Sequence, residues 1–155
     1  MPVVPIQGLF EAHLTVRDIE RSIVFYRDIL GLELAHRMPE RHAAFFWMGP
    51  PGHTMLGLWS IHTSPIRLHL HIAFRVSRDD VVAAISRLRA AGIPPRASGG
   101  GAEIDEPIVF GWMPAASVYF DDPDGHSLEF ITMLPGPARP ELGVVTLSEW
   151  PSDGR

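Results

Sequence analysis

The chain has 155 residues, of which 46% are hydrophobic and 20% charged, with a formal net charge of −5 at pH 7. That is one domain's length with an ordinary globular composition, which excludes intrinsic disorder and leaves enough apolar material for a core. No basic stripe interrupts the negative balance and the apolar runs are strand-sized, so neither nucleic acid nor a membrane is an expected partner.

There is no cysteine, which removes disulfides, thiolate nucleophiles and Cys-based metal sites together. All 13 Lys+Arg residues are arginine, so lysine Schiff-base or general-base chemistry cannot come from this chain. The opening MPVVPIQG carries no basic segment and no cleavable apolar core, which makes the cytoplasm the expected compartment.

In chain order, Phe10–Arg17 alternates, with Leu14 and Val16 on one face and His13 and Thr15 on the other, as in a half-buried strand. Asp18 can cap a helix whose Ile19, Ile23, Tyr26 and Leu30 form one stripe, with Gly31 as its terminator. Leu32–His36, Ala43–Met48 and Thr54–Ser60 follow as three strands separated by Pro/Gly/His-rich turns. Then the order begins again. Leu68–Val76 alternates and carries His71; Ser77 can cap a second helix, with Val81, Ile85 and Leu88 on one side and Gly92 at its end. After a Gly/Ala/Pro-rich stretch over 94–114, Ser117–Met133 reads as a hairpin around Asp122-Pro-Asp-Gly125. The tail beyond Leu134 is expected to form a surface arm or to pack on a partner.

His13-Leu-Thr-Val lies on His71-Ile-Ala-Phe when the halves are aligned, which indicates an internal duplication. The expectation is a single α+β domain of two paired βαβββ modules, 8–62 and 66–134, with a tail over 135–155. Each half has little core of its own, so the two are expected to pair as a curved sheet around a central cavity. The duplication selects the same face of the same strand twice, at His13 and His71. Glu129, alone among apolar neighbours in the last strand, is costly to bury unless a positive group meets it. Two imidazoles and one carboxylate suit a divalent first-row metal such as iron, manganese, nickel or zinc, with positions left open to substrate. Tyr119 either points toward that metal or is a core tyrosine bonded to backbone, and Thr15 shares a face with His13. His69 reads as a rim residue, and His126 as a residue that fixes the hairpin turn.

HLTVRDIERSIVFYRDILGLEL, HIAFRV and YFDDPDGHSLEF together resemble the vicinal oxygen chelate superfamily of glyoxalases, bleomycin resistance proteins, extradiol dioxygenases and fosfomycin-modifying thiol transferases. The resemblance implies a metal on His13, His71 and Glu129, a small-molecule substrate bound through vicinal oxygens, catalytic roles for Tyr119 and Thr15, and a homodimer. Two departures qualify it. Gly57 falls where glyoxalase I carries a fourth ligand, and the lysine on which the thiol transferases rely has no counterpart. Three ligands plus Tyr119 narrowly favour a ring-cleaving dioxygenase. A lyase, an isomerase, a thiol transferase, or a module that sequesters a drug in a Trp-lined cleft remain as alternatives.

Overall fold

The computed structural model describes residues 7–60 and 68–151. His62 and the expected end of the first module lie outside the described residues. The chain divides into two compact units, Met1–Leu68 and His69–Arg155.

In the first unit the elements are β1 (Glu11–Val16), α1 (Ile19–Val24), β2 (Glu33–Met38), β3 (Ala43–Trp47) and β4 (Met55–Ser60). The strand order is β1-β4-β3-β2, with β1 parallel to β4 and the other pairs antiparallel. A parallel pair needs a crossover, which α1, β2 and β3 supply. Asp18 caps α1 as expected, its Oδ1 accepting from the Glu20 and Arg21 amides at 3.0 and 3.2 Å. The expected single helix is shorter than its stripe, because a π-helical turn takes over from Phe25 to Ile29. Alternation sorts the strand side chains by face. Leu14, Val16, Ala44, Phe46, Leu56 and Leu58 are buried with Ile23, Phe25 and Tyr26, while His13 and Thr15 lie on the opposite, polar face. Each of the Leu, Val, Ile and Phe side chains among them contributes about 1.5–3 kcal/mol when fully buried.

The second unit repeats the arrangement and adds to it. Its elements are β5 (His71–Arg75), α2 (Arg78–Ala90), β6 (Ile108–Phe110), β7 (Ala115–Asp121), β8 (Ser127–Met133) and β9 (Val144–Thr146), in the order β5-β8-β7-β6-β9. Here β5 is parallel to β8, as β1 is to β4. Ser77 caps α2 through its hydroxyl, which accepts from the Asp80 amide at 3.1 Å. Val81, Ala84, Ile85 and Leu88 form the buried side of α2, which packs against β7 and β8.

The tail departs from the expected surface arm. It returns to the sheet of its own unit as β9, pairing antiparallel with β6. Gly111 and Gly143 join the two at 2.7 Å, and Ser148 anchors the end on Glu106 with two 2.8 Å hydrogen bonds.

Candidate metal centre

The ladder of the second unit builds one side of the site row by row. Directly paired residues in a ladder point to the same face, so Ala73, Glu129 and Tyr119 form one row and His71, Ser127 and Asp121 the next. Arg96 joins the first row from outside the named strands. Its amide donates to the Tyr119 carbonyl at 2.8 Å and its carbonyl accepts from the Tyr119 amide at 3.1 Å.

Glu129 is 3% exposed, and its Oε2 stands 3.1 Å from His71 Nε2. His71 Nδ1 donates to the Ser127 carbonyl at 2.9 Å. With the proton on Nδ1, the other ring nitrogen presents a lone pair to a carboxylate oxygen. That contact is favourable with a proton shared between the two or with a metal ion bound by both. The second carboxylate oxygen, Oε1, has no hydrogen-bond partner among the described residues. A buried oxygen left in that state costs about 1–3 kcal/mol, and more when charged. The donor set and the orphaned oxygen both fit a divalent cation.

Tyr119 stacks on the His71 ring with centroids 5.7 Å apart and planes 24° from parallel, which puts it beside this pair. Burial, then the charge of Glu129 and a hydrogen bond to its side chain, push the hydroxyl pKa up, with Arg96 opposing in part. Tyr119 therefore keeps its proton at neutral pH and can act as a hydrogen-bond donor, not as a base.

In the first unit His13 and Thr15 share the polar face, opposite Gly57 and Trp59 of β4. Gly57 makes room for the imidazole: a Cβ there would stand 2.6 Å from His13 Cδ2 and 2.9 Å from Nε2. Phe45 and Trp59 flank the His13 ring at centroid distances of 6.0 and 5.7 Å. Thr15 pairs with Trp59 as Ala73 pairs with Glu129, so Trp59, and not Gly57, stands at the place of Glu129 in the repeat.

The structure thus brings His71, Tyr119 and Glu129 together in one unit and sets His13 beside Thr15 in the other. Among the described residues, no three His, Cys, Asp or Glu side chains stand close enough together to hold a metal ion. His126 has the turn role expected of it. The Leu70 amide donates to its Nδ1 at 3.1 Å, and its own amide donates to Asp122 Oδ1 at 2.8 Å.

Two residues escaped the sequence reading. Glu11 Oε1 lies 3.0 Å from His13 Nε2; the two-residue spacing on an alternating strand was the available signal. Arg96 is only 13% exposed in its side chain, pairs with Asp121, and donates to Ser127 Oγ at 3.1 Å. Nothing in the Pro/Gly-rich sequence around it marks that position.

The sequence profile of the Glyoxalase/Bleomycin resistance protein/Dioxygenase superfamily matches residues 8–130. The chain belongs to that superfamily, and its fold is the α+β glyoxalase/dioxygenase fold. It is 28% identical over 135 residues to the metallothiol transferase FosB of Lysinibacillus sphaericus (strain C3-41), covering 82% of this chain and 83% of that protein. Among solved structures it is similar to the integron cassette protein HFX_CASS4 from the Halifax Harbour sewage outfall metagenome. That match has a TM-score of 0.70 and 30% identity, over 83% of this chain and 100% of the other. It is also similar to the oxidase ChaP-H2, with a TM-score of 0.65 and 27% identity, over 84% and 97% of the two chains.

Proposed function

We propose that this protein is a divalent-metal-dependent enzyme that binds a small molecule through two adjacent oxygens, with His13, His71 and Glu129 as ligands. The observation that carries this is the buried Glu129 carboxylate, with one oxygen 3.1 Å from His71 Nε2 and the other without a hydrogen-bond partner among the described residues. A divalent ion there would polarise the chelated oxygens and stabilise negative charge as it develops on them.

The chain's own groups do the rest. His71 is held in one tautomer by the Ser127 carbonyl. Tyr119 keeps its proton on Oη and donates to whichever substrate oxygen gains charge. Thr15 offers a hydroxyl from the row next to His13. The site is shared in a homodimer, with His13 from one subunit and His71 with Glu129 from the other, and the protein works in the cytoplasm.

Among the relatives described, FosB is called a thiol transferase and none is named for ring cleavage, so group transfer displaces the dioxygenase expectation. In such a step a thiol sulfur bonds to a substrate carbon, the C–O bond breaks, and the released oxygen keeps the electron pair and gains the thiol proton. The oxidase name of ChaP-H2 and the position of Tyr119 favour oxygen chemistry as the second reading.

One experiment separates them. Protein reconstituted with manganese(II) is given cysteine and an epoxide bearing a neighbouring oxyanion, and protein reconstituted with iron(II) is given catechols. Loss of free thiol without oxygen uptake is the expected result. Catechol-dependent oxygen uptake would overturn the transferase reading in favour of the oxidative one.

A further inference from the structure

Beyond β9 the tail turns back on itself and is held there. The Thr146 amide and hydroxyl both donate to Glu149 Oε2, at 2.9 and 3.0 Å, and the Trp150 amide donates to the Thr146 carbonyl at 3.1 Å. Ser148 is fixed separately, through its two bonds to Glu106. This turn, the start of α2 and the end of β8 together form a cleft of about 310 Å³, lined by Arg78, Leu134, Leu147, Ser148 and Trp150 among others. That volume lies at the lower end of small-molecule sites, about 300–1,000 Å³. The cleft belongs wholly to the second unit. Leu134 extends the β7–β8 ladder by one residue, its amide donating to the Pro114 carbonyl at 2.7 Å. It therefore continues the face of Leu128 and Phe130, opposite Glu129, and the cleft lies on the helix side of the sheet.

Arg78 is the cation of this cleft, and it has no hydrogen bond or ion pair among the described residues. The acids that fix the α2 cap and the tail have other partners. Asp80 is bonded to Ser77 and Arg87, Glu149 to Thr146 and Glu106 to Ser148. A guanidinium takes the two oxygens of a carboxylate side by side, while Leu134, Leu147 and Trp150 offer an apolar wall to whatever carries it.

We propose that this cleft is a second ligand site, separate from the candidate metal centre, for a small organic carboxylate with an apolar or aromatic body. Arg78 holds the carboxylate, and the turn that ends in Trp150 holds the body. Because that turn is fixed by its own hydrogen bonds, little ordering of the tail is needed when the ligand enters.

The probe is 3-phenylpropionate, titrated into the full-length protein and followed by amide NMR spectra. Saturable shifts are expected at 78, 134 and 147–150, with the amides of 71 and 129 unmoved. Arg78→Gln, an exposed change checked for an unchanged melting temperature, is expected to weaken binding about tenfold or more, as loss of a charged hydrogen-bond partner does. On the unaltered protein, 3-phenylpropanamide is expected to lose as much, and acetate, which lacks the apolar body, to give no shift over the same range. An Arg78→Gln protein with wild-type affinity, equal binding of the amide, or shifts centred on 71 and 129 would overturn the proposal. So would the lack of any saturable shift up to the solubility limit of the probe. The outcome does not depend on the metal-centre reading, which concerns the other face of the sheet.

Discussion

His13 owes its place to the residue across from it. The imidazole lies over Gly57, where even a methyl group would stand 2.6 Å from Cδ2 and 3.2 Å from Phe45 Cε1. Gly57→Ala should therefore turn the ring away from its direction toward Glu11. The expected result is at least a tenfold loss of manganese affinity, with about 1–3 kcal/mol of overpacking strain in urea denaturation. Unchanged affinity would mean that His13 does not need the cradle. At this scale the sequence was informative where alternation governs burial. Glu129 stood out as a carboxylate on an otherwise apolar strand, and the structure buries it. Trp59 was legible only as an aromatic residue; that it takes the place of Glu129 in the repeat depends on ladder register, which residue type does not reveal. Arg96 was not legible at all, because its placement rests on a two-way backbone bridge to Tyr119.

Among the elements, the tail departs most from expectation. β6 and β9 are three residues each, too short for alternation to register, and they are flanked by Pro and Gly that read as loop. The reason they pair lies in Gly111. A Cβ there would stand 2.2 Å from the Arg139 carbonyl oxygen and 3.0 Å from that of Gly143, so only glycine admits the returning chain. Gly111→Ala should detach the tail. The expected outcome is faster amide hydrogen exchange over 144–147, with protection in β7 and β8 retained. Protection of 144–147 equal to wild type would show that the β6–β9 ladder and the Ser148–Glu106 bonds hold the tail without the close approach at Gly111. The longer elements were legible because they satisfy two requirements at once, as α2 does with Ser77 at its cap and an apolar side over Val81, Ile85 and Leu88. In the first helix the stripe showed correctly that Ile23 and Tyr26 are buried, but periodicity did not reveal the switch to a π turn at Phe25.

For the whole molecule, the duplication explains most of what the chain is. Both units pair their first strand in parallel with a later one, β1 with β4 and β5 with β8, and carry a histidine on that first strand. Leu9 and Phe10 before β1, and Leu68 before β5, are large apolar residues left exposed in the single chain, as the proposed homodimer would need. The central claim is that these twin strands and Glu129 hold one cation between them. It is tested most directly by elemental analysis of protein purified without chelator, alongside His13→Ala, His71→Ala and Glu129→Gln. The account predicts one divalent metal ion per chain in the wild type, lost in each of the three variants. Wild-type protein without stoichiometric metal, or a Glu129→Gln protein that keeps its ion, would contradict it.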